Sequence, residues 1–298
     1  MTDAPPIGYH WSFASFEEWL REAVPHAINK EFCEGPNCLG QVYSSSDSKN
    51  WYGVEDGLDG VYRRIHDGWP EGLARLREVK VKTTRGLPTF RKARRRPRRS
   101  DHGDELDIHA VRSGKLDKAW RRTMKLDGRG TGVSRRVRVV MDIGANCTTD
   151  SATMFWSPAA ALVLCERLVM LGYAVEIVAA LFSRHLCGYG DEGHGNTLMD
   201  VTVKSFDRPA NMESLAILAL SGLFRGPGFA TLCKANKKVR PSLGHMVPID
   251  RFAEHLDKGD ATTLITPRIT NERQALSWVN DVLESKARPA SEGSQQAA

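Results

Sequence analysis

No uninterrupted apolar run in this 298-residue chain approaches the roughly 20 residues that span a bilayer. The opening MTDAPPIGYHW lacks the charged-then-apolar order of a signal peptide. No membrane partner is expected, and a cytoplasmic location is. Cysteine is scarce: six in 298 residues are too few for a disulfide scaffold. Cys165 falls in an apolar helical stretch and reads as core. Cys33 and Cys38 are spaced like half a zinc site, but His10 and His26, the nearest further ligands, complete no zinc pattern. Catalytic signatures are missing too. There is no nucleophile–base pair, paired-carboxylate motif, phosphate loop or metal tetrad with a specific spacing, so the enzyme reading is disfavoured. Gly128-x-Gly130-x-Gly132 precedes a strand and does not follow one, so it fails the context of a dinucleotide fingerprint.

Acid is absent from one segment. Residues 80–99 carry ten Lys or Arg and no Asp or Glu, while the whole chain is at +6, so the rest stands near −4. The basicity belongs to a linker or arm over 80–102. Arg91, Lys92, Arg94, Arg95, Arg96, Arg98 and Arg99 there are candidates for contact with a nucleic-acid backbone or another polyanion. Phe90 is the one aromatic available for base stacking, so base readout is not expected.

What is present is a packed α/β chain, with apolar residues at 41%. A helical N-terminal region is expected over 10–79. Its first helix, 12–25, opens on the capping-box pair Ser15 and Glu18. A helical hairpin follows over 51–79, jointed at Gly68-Trp69 with Pro70 opening its second arm. Residues 103–134 connect to an α/β domain over 135–285, and 286–298 reads as a disordered tail. In that domain, strands are expected at 137–141, 174–182, 198–206 and 262–267. A buried helix starts at Ser157-Pro158, another follows Asn211, and an amphipathic one covers 271–284. The fold class is an open, mostly parallel sheet with helices on both faces.

Candidate sites gather where strands end. Asp142 closes the first strand, in VRVVMDIGANCTTDS, and an oxygen-rich loop follows that suits Mg²⁺ or Ca²⁺. The competing reading of Asp142 is a carboxylate that caps nearby backbone N–H groups. A second candidate is the loop 183–196, where His185, Cys187, Asp191 and His194 are metal-binding types at no known ligand spacing. Dispersed acids, Asp142, Asp150, Glu176 and Asp200, are expected to converge only if the strands bring them together.

A strand ending in Asp142, a polar loop, a buried helix, a strand, a return strand, a helix, and later LIT before a helix resemble the von Willebrand factor A fold. The resemblance implies a metal-ion-dependent adhesion site with Asp142 and Asn146 as its remaining ligands. Gly144 stands where that motif has a serine, and Pro267 where a later aspartate is expected. No other cofactor is implied. A second resemblance, carried by WYG at 51, GWPEG at 68–72 and AAALVLCERLVMLGYAVEI, is to an uncharacterised domain family of tailed-phage and bacterial proteins. It implies a phage-encoded protein, host-cytoplasmic or virion-associated. The expected role is a non-catalytic interaction or scaffold protein with a degenerate adhesion site and a protein partner. The alternatives are a nucleic-acid-associated protein acting through 80–99, and a metal-dependent enzyme using Asp142.

Overall fold

The computed structural model describes residues 7–29, 48–84, 98–100, 105–106, 120–122, 136–144, 149–183, 196–208, 211–235 and 249–287. The chain forms two compact units, one from residues 1–87 with 135–298, the other from 88–134.

The larger unit is built on a five-stranded sheet. Its strands are β1 (Tyr9–Phe13), β5 (Arg136–Asp142), β6 (Ala174–Ser183), β7 (Thr197–Lys204) and β8 (Thr262–Ile265), in the order β1-β7-β6-β5-β8. Pairs β5/β6, β5/β8 and β1/β7 are parallel; β6/β7 is antiparallel, with a register irregularity at Ile177/Val178. Val137, Val139, Val140 and Met141 are almost fully buried, as a central strand covered on both faces demands.

The smaller unit holds β2 (Arg98–Ser100), β3 (Glu105–Leu106) and β4 (Trp120–Arg122), an antiparallel sheet in the order β2-β4-β3. Arg98 and Arg99, expected in an irregular arm, therefore lie in a strand and pair in register with Arg122 and Arg121.

Helices cover both faces of the large sheet. They are α1 (Phe16–Asn29), α2 (Ser48–Tyr52), α3 (Gly57–Asp67), α4 (Pro70–Thr84), α5 (Ser151–Met154) and α6 (Trp156–Met170). Then come α7 (Met212–Leu215), α8 (Ser221–Leu223), α9 (Phe229–Ala235), α10 (Ala253–Leu256) and α11 (Glu272–Ala287). The expected helix after Asn211 is a broken one. Asn211 Oδ1 accepts from Glu213 N, but the chain passes into a 3-10 turn at Ala216–Ala219 and breaks at the extended Leu220. It resumes as α8, a π turn at Phe224–Gly228 and α9. Pro227 has no N–H to give to a regular ladder, which accounts for the π register around it.

Two expectations needed correction at helix and strand starts. Residues 12–25 do not begin in helix: β1 occupies Tyr9–Phe13, and α1 starts at Phe16. The capping pair is as expected, with Glu18 N donating to Ser15 Oγ and Ala14 N to Glu18 Oε2. Ser157-Pro158 does not open the buried helix. The helical stretch begins at Ser151 because Asp150 Oδ1 accepts from Thr153 N at 2.6 Å, and Ser157 Oγ is engaged with Pro267 O and Ile269 N instead. This 20-residue stretch, Ser151–Met170, is long and apolar enough to cross a bilayer, yet it is largely buried against the sheet and its neighbours. Cys165 lies within it, 1% exposed, and burial pushes its thiol well above the usual range.

The cap at Asp150 carries a pH signature. The Thr153 backbone N–H holds its carboxyl below the usual aspartate range. Stability from the cap is therefore present above the unfolded value near ~3.9 and lost as pH falls through the lower folded value. Asp150→Ala is expected to cost about 1 kcal/mol at neutral pH, read by urea unfolding, and Asp150→Asn, which still accepts from Thr153 N, less than half of that.

The face of the sheet away from α6 is covered by the 3-10 turn Ile249–Phe252 and α10. Phe252 stacks on Phe182 with ring centres 3.8 Å apart, above Val140, Val178, Ala180 and Leu198. α4 continues to Thr84 through what composition marks as the start of the basic arm. The reason is local: Lys80 pairs with Glu166 and Lys82 with Glu272, so two of the ten basic charges are matched by acids of α6 and α11.

Candidate functional site

Because β5, β6 and β8 are parallel, their carboxyl ends share one end of the sheet, the place where open α/β sheets build sites. Asp142 ends β5 there, 3% exposed. Its Oδ1 accepts from Gly144 N at 2.9 Å, and its own N donates to Thr266 Oγ1 at 2.8 Å. Thr266 follows β8, donates to Val140 O from both its N and its Oγ1, and so clasps the ends of β5 and β8. Asp142 thus caps the turn leaving its strand, the arrangement in which a short polar side chain bonds backbone two residues on. Asn146, its expected companion, lies outside the described residues.

The register extends this row across the sheet: Asp142 pairs with Ala180, Ala180 with Asp200, and Asp200 with Ser12. Two strand spacings, roughly 10 Å, separate Asp142 from Asp200. Asp200 is buried and its Oδ1 takes hydrogen bonds from His10 Nε2 and Ser12 Oγ, both at 2.6 Å. The residue types are those of a hydrolytic triad, but the order of contact is not. A relay needs the imidazole between hydroxyl and carboxylate. Here Ser12 reaches the carboxylate directly, and Nε2 is the ring atom facing both. The cluster ties the edge strand β1 to β7.

The remaining candidate acids do not converge on this site. Glu176, which could have been a surface residue, is buried in β6 opposite Arg138. Its carboxylate takes the Arg138 Nε hydrogen bond, and Arg138 Nη2 also reaches Asp260 at 3.1 Å. Asp150 is consumed as a helix cap. His185, Cys187, Asp191 and His194, with Cys33 and Cys38, lie outside the described residues, as do Arg91, Lys92, Arg94, Arg95 and Arg96.

One residue at the sheet end escaped sequence reading. A small cavity of about 90 Å³ opens between the end of β5, the start of the Ser151–Met170 helix and the loop after β8. Asp142, Gly144, Thr149, Thr153 and Arg268 are among its lining residues. Nε and Nη2 of Arg268 are buried and have no hydrogen-bond partner among the described residues.

The rim of this cavity is held by a second arginine. Arg225, from the π turn, is 1% exposed. Its Nη1 donates to Trp51 O at 2.8 Å, its Nη2 donates to Thr149 O, and its guanidinium lies 3.8 Å from the centre of the Trp51 ring. Ser221 Oγ also donates to Trp51 O, and Ser151 Oγ to Lys49 O. WYG at 51–53 is therefore a packing device. Trp51 presents its carbonyl and ring to Arg225, Tyr52 is 2% exposed, and Gly53 sits at φ 78° beside Leu220 and Ser221. GWPEG at 68–72 is another. Gly68 turns at φ 85°, Trp69 stands edge-on to Phe155 with ring centres 6.4 Å apart, and Pro70 opens α4. The Trp69 ring folds so closely over Gly72 that a Cβ there would lie 2.0 Å from it.

The architecture is thus a mixed α/β protein on an open, mostly parallel sheet. The chain belongs to the family described as a domain of unknown function, DUF7192, whose model matches residues 9–286. No curated protein and no solved structure matches it.

Proposed function

We propose that this chain is a non-catalytic interaction and scaffold protein, phage-encoded, which docks a protein partner at the carboxyl end of its sheet. The observation that carries this reading is the engagement of Asp142. One of its carboxylate oxygens, Oδ1, accepts from Gly144 N, and the nearby Thr266 hydroxyl is bonded to the backbone of β5. Asp142 Oδ1 and Thr266 Oγ1, two oxygens that a von Willebrand A-like adhesion site could turn toward a cation, are instead bonded to backbone at the strand ends.

The element order from β5 to α11, with β7 as the returning antiparallel strand, supports a kinship with that fold. The donor set at the sheet end does not fit its metal. Gly144 offers no hydroxyl, and Pro267 offers no carboxylate and spends its carbonyl on Ser157 Oγ. A docking face without a resident cation remains, made of loops that a rigid sheet positions.

Calorimetric titration of the full chain with Mg²⁺ and Ca²⁺, together with thermal melts, tests the metal side of this reading. No saturable binding is expected. Micromolar binding lost in Asp142→Asn would replace the scaffold reading with a metal-dependent one. Cross-linking from positions 149 and 270, in cells that carry the gene, tests the docking side. A discrete protein adduct is expected from both positions. Monomer alone would overturn the reading.

A further inference from the structure

We propose that the smaller unit binds single-stranded nucleic acid through the arginines of its sheet. This goes beyond the docking reading above and does not rest on it. Two observations carry it. The first is where the charge sits. Residues 88–134, the chain of the smaller unit, hold fourteen Lys or Arg and six Asp or Glu, a net +8. The rest of the chain stands at −2, so the net positive charge of the protein belongs to one compact unit. Charge concentrated in this way is the electrostatic footprint of a phosphate-backbone binder.

The second is the register of the sheet β2-β4-β3. Arg98 pairs with Arg122 and Arg99 with Arg121, two Arg–Arg pairs side by side. Neighbouring strands lie roughly 5 Å apart, and like charges directly opposite one another destabilise the pairing. Among the described residues of this sheet a single acid, Glu105, shares the register, opposite Arg121. Four arginines brought this close by backbone pairing form an arrangement that an anionic ligand stabilises. The pairing also sets their spacing before a ligand arrives, so less freedom is lost on binding.

The same register chooses among anionic partners. Successive positions in a strand belong to opposite faces, so Arg98 and Arg122 share one face and Arg99 and Arg121 the other. β2 is an edge strand in the order β2-β4-β3, so the two faces meet along it. A rigid duplex or a flat membrane meets one face at a time. A flexible single strand passes round the edge and reaches both. Trp120 falls on the face of Arg98 and Arg122, two positions from Arg122 in β4. Arginine for the backbone and an aromatic for the bases are the residue types that single-strand binders combine. Contacts to phosphate carry no sequence information, so binding is expected to be independent of sequence.

The test follows the full chain by fluorescence anisotropy against a labelled oligothymidylate of about 20 nucleotides and a duplex of the same length. Saturable binding of the single strand is expected, tighter than that of the duplex. With all four arginines on phosphates, the log–log slope against salt should be about −3 or steeper, a loss of about fiftyfold or more between about 50 and about 200 mM KCl. The combined variant Arg98→Gln, Arg99→Gln, Arg121→Gln and Arg122→Gln should bind at least about tenfold more weakly, with a slope shallower by about 3. The control removes the same charge from exposed arginines of the larger unit, Arg21→Gln, Arg77→Gln, Arg208→Gln and Arg273→Gln. It should change affinity by less than about threefold.

No salt-sensitive binding of the single strand overturns the proposal. Equal losses in the two combined variants, or tighter binding of the duplex, overturn it as well. So does binding to vesicles of phosphatidylserine and phosphatidylcholine without binding to either oligonucleotide. If the sheet variant does not fold, the wild-type chain decides by ultraviolet cross-linking to an oligomer carrying 4-thiothymidine. Adducts mapped by mass spectrometry to peptides within residues 98–122 are expected. Adducts confined to the larger unit overturn the site.

Discussion

Replacing Arg225 by Met is expected to destabilise the protein by about 3 kcal/mol, one of the two largest single-site effects in this fold. Volume is not the cause, since Met fills a similar space. The guanidinium joins three segments that are far apart in sequence: Trp51 O in α2, Thr149 O before α5, and its own π turn. Without it, two backbone carbonyls lose their donor in a buried setting, each costing on the order of 1–3 kcal/mol. Removing a buried cation returns part of this, because the charge no longer has to be desolvated. The return is partial here because the partners are neutral carbonyls that stay behind. Ser221 Oγ still covers Trp51 O, so the larger loss falls at Thr149. Arg225→Lys should recover less than half, since one ammonium cannot span two carbonyls that the planar fork reaches together. Urea unfolding measures both variants. A midpoint within about 0.5 kcal/mol of wild type for Arg225→Met would show that the hub holds nothing.

The same residue shows where sequence reading reaches and where it stops. Hydrophobic periodicity finds β5, β6 and the helix between them because those elements are largely buried, and burial writes itself into composition. It finds the caps at Ser15 and Asn211, and the joint at Gly68, because each is a local side-chain-to-backbone event. It misses β1, although YHWSF alternates half-buried and exposed positions, because an edge strand beside polar residues lacks an apolar run. It also misses the start of the Ser151–Met170 helix. Asp150 and Ser157 are both plausible caps, and only the loop after β8, which claims the Ser157 hydroxyl, decides between them. Arg225 and Arg268 look alike in a string. One is matched by carbonyls 76 and 174 residues away, and the other has no partner on one edge among the described residues. Asp142 was legible as the residue at the sheet end. Its engagement with Gly144 is the bland alternative that the loop sequence left open. WYG and GWPEG were legible as the stretches that carry the resemblance, but their chemistry is packing. Trp51 receives Arg225, Trp69 covers Gly72, and neither tryptophan is among the residues that line the cavity.

Gly222→Ala is the second large effect, and its sign opposes helix propensity. Gly222 lies in α8 without a positive φ, so backbone freedom does not require glycine there. In an exposed helix the change would gain about 1 kcal/mol. Here a Cβ would sit 2.2 Å from Val61 Cγ2 and 2.8 Å from Tyr52 O. Val61 is fully buried in α3, so its methyl has no free space to enter, and Tyr52 O is backbone. Either α8 or the pair α2 and α3 must move. Overpacking of this kind costs typically 1–3 kcal/mol and more where backbone must shift, so a net loss of about 2–3 kcal/mol is expected. Val61→Ala in the same chain removes the closer contact and leaves the one to Tyr52 O. The double variant should therefore be more stable than the two single losses predict when added, a coupling of about 1 kcal/mol or more. Strict additivity would mean that the two sites do not touch, and that α8 is held away from α3 by something other than the missing Cβ.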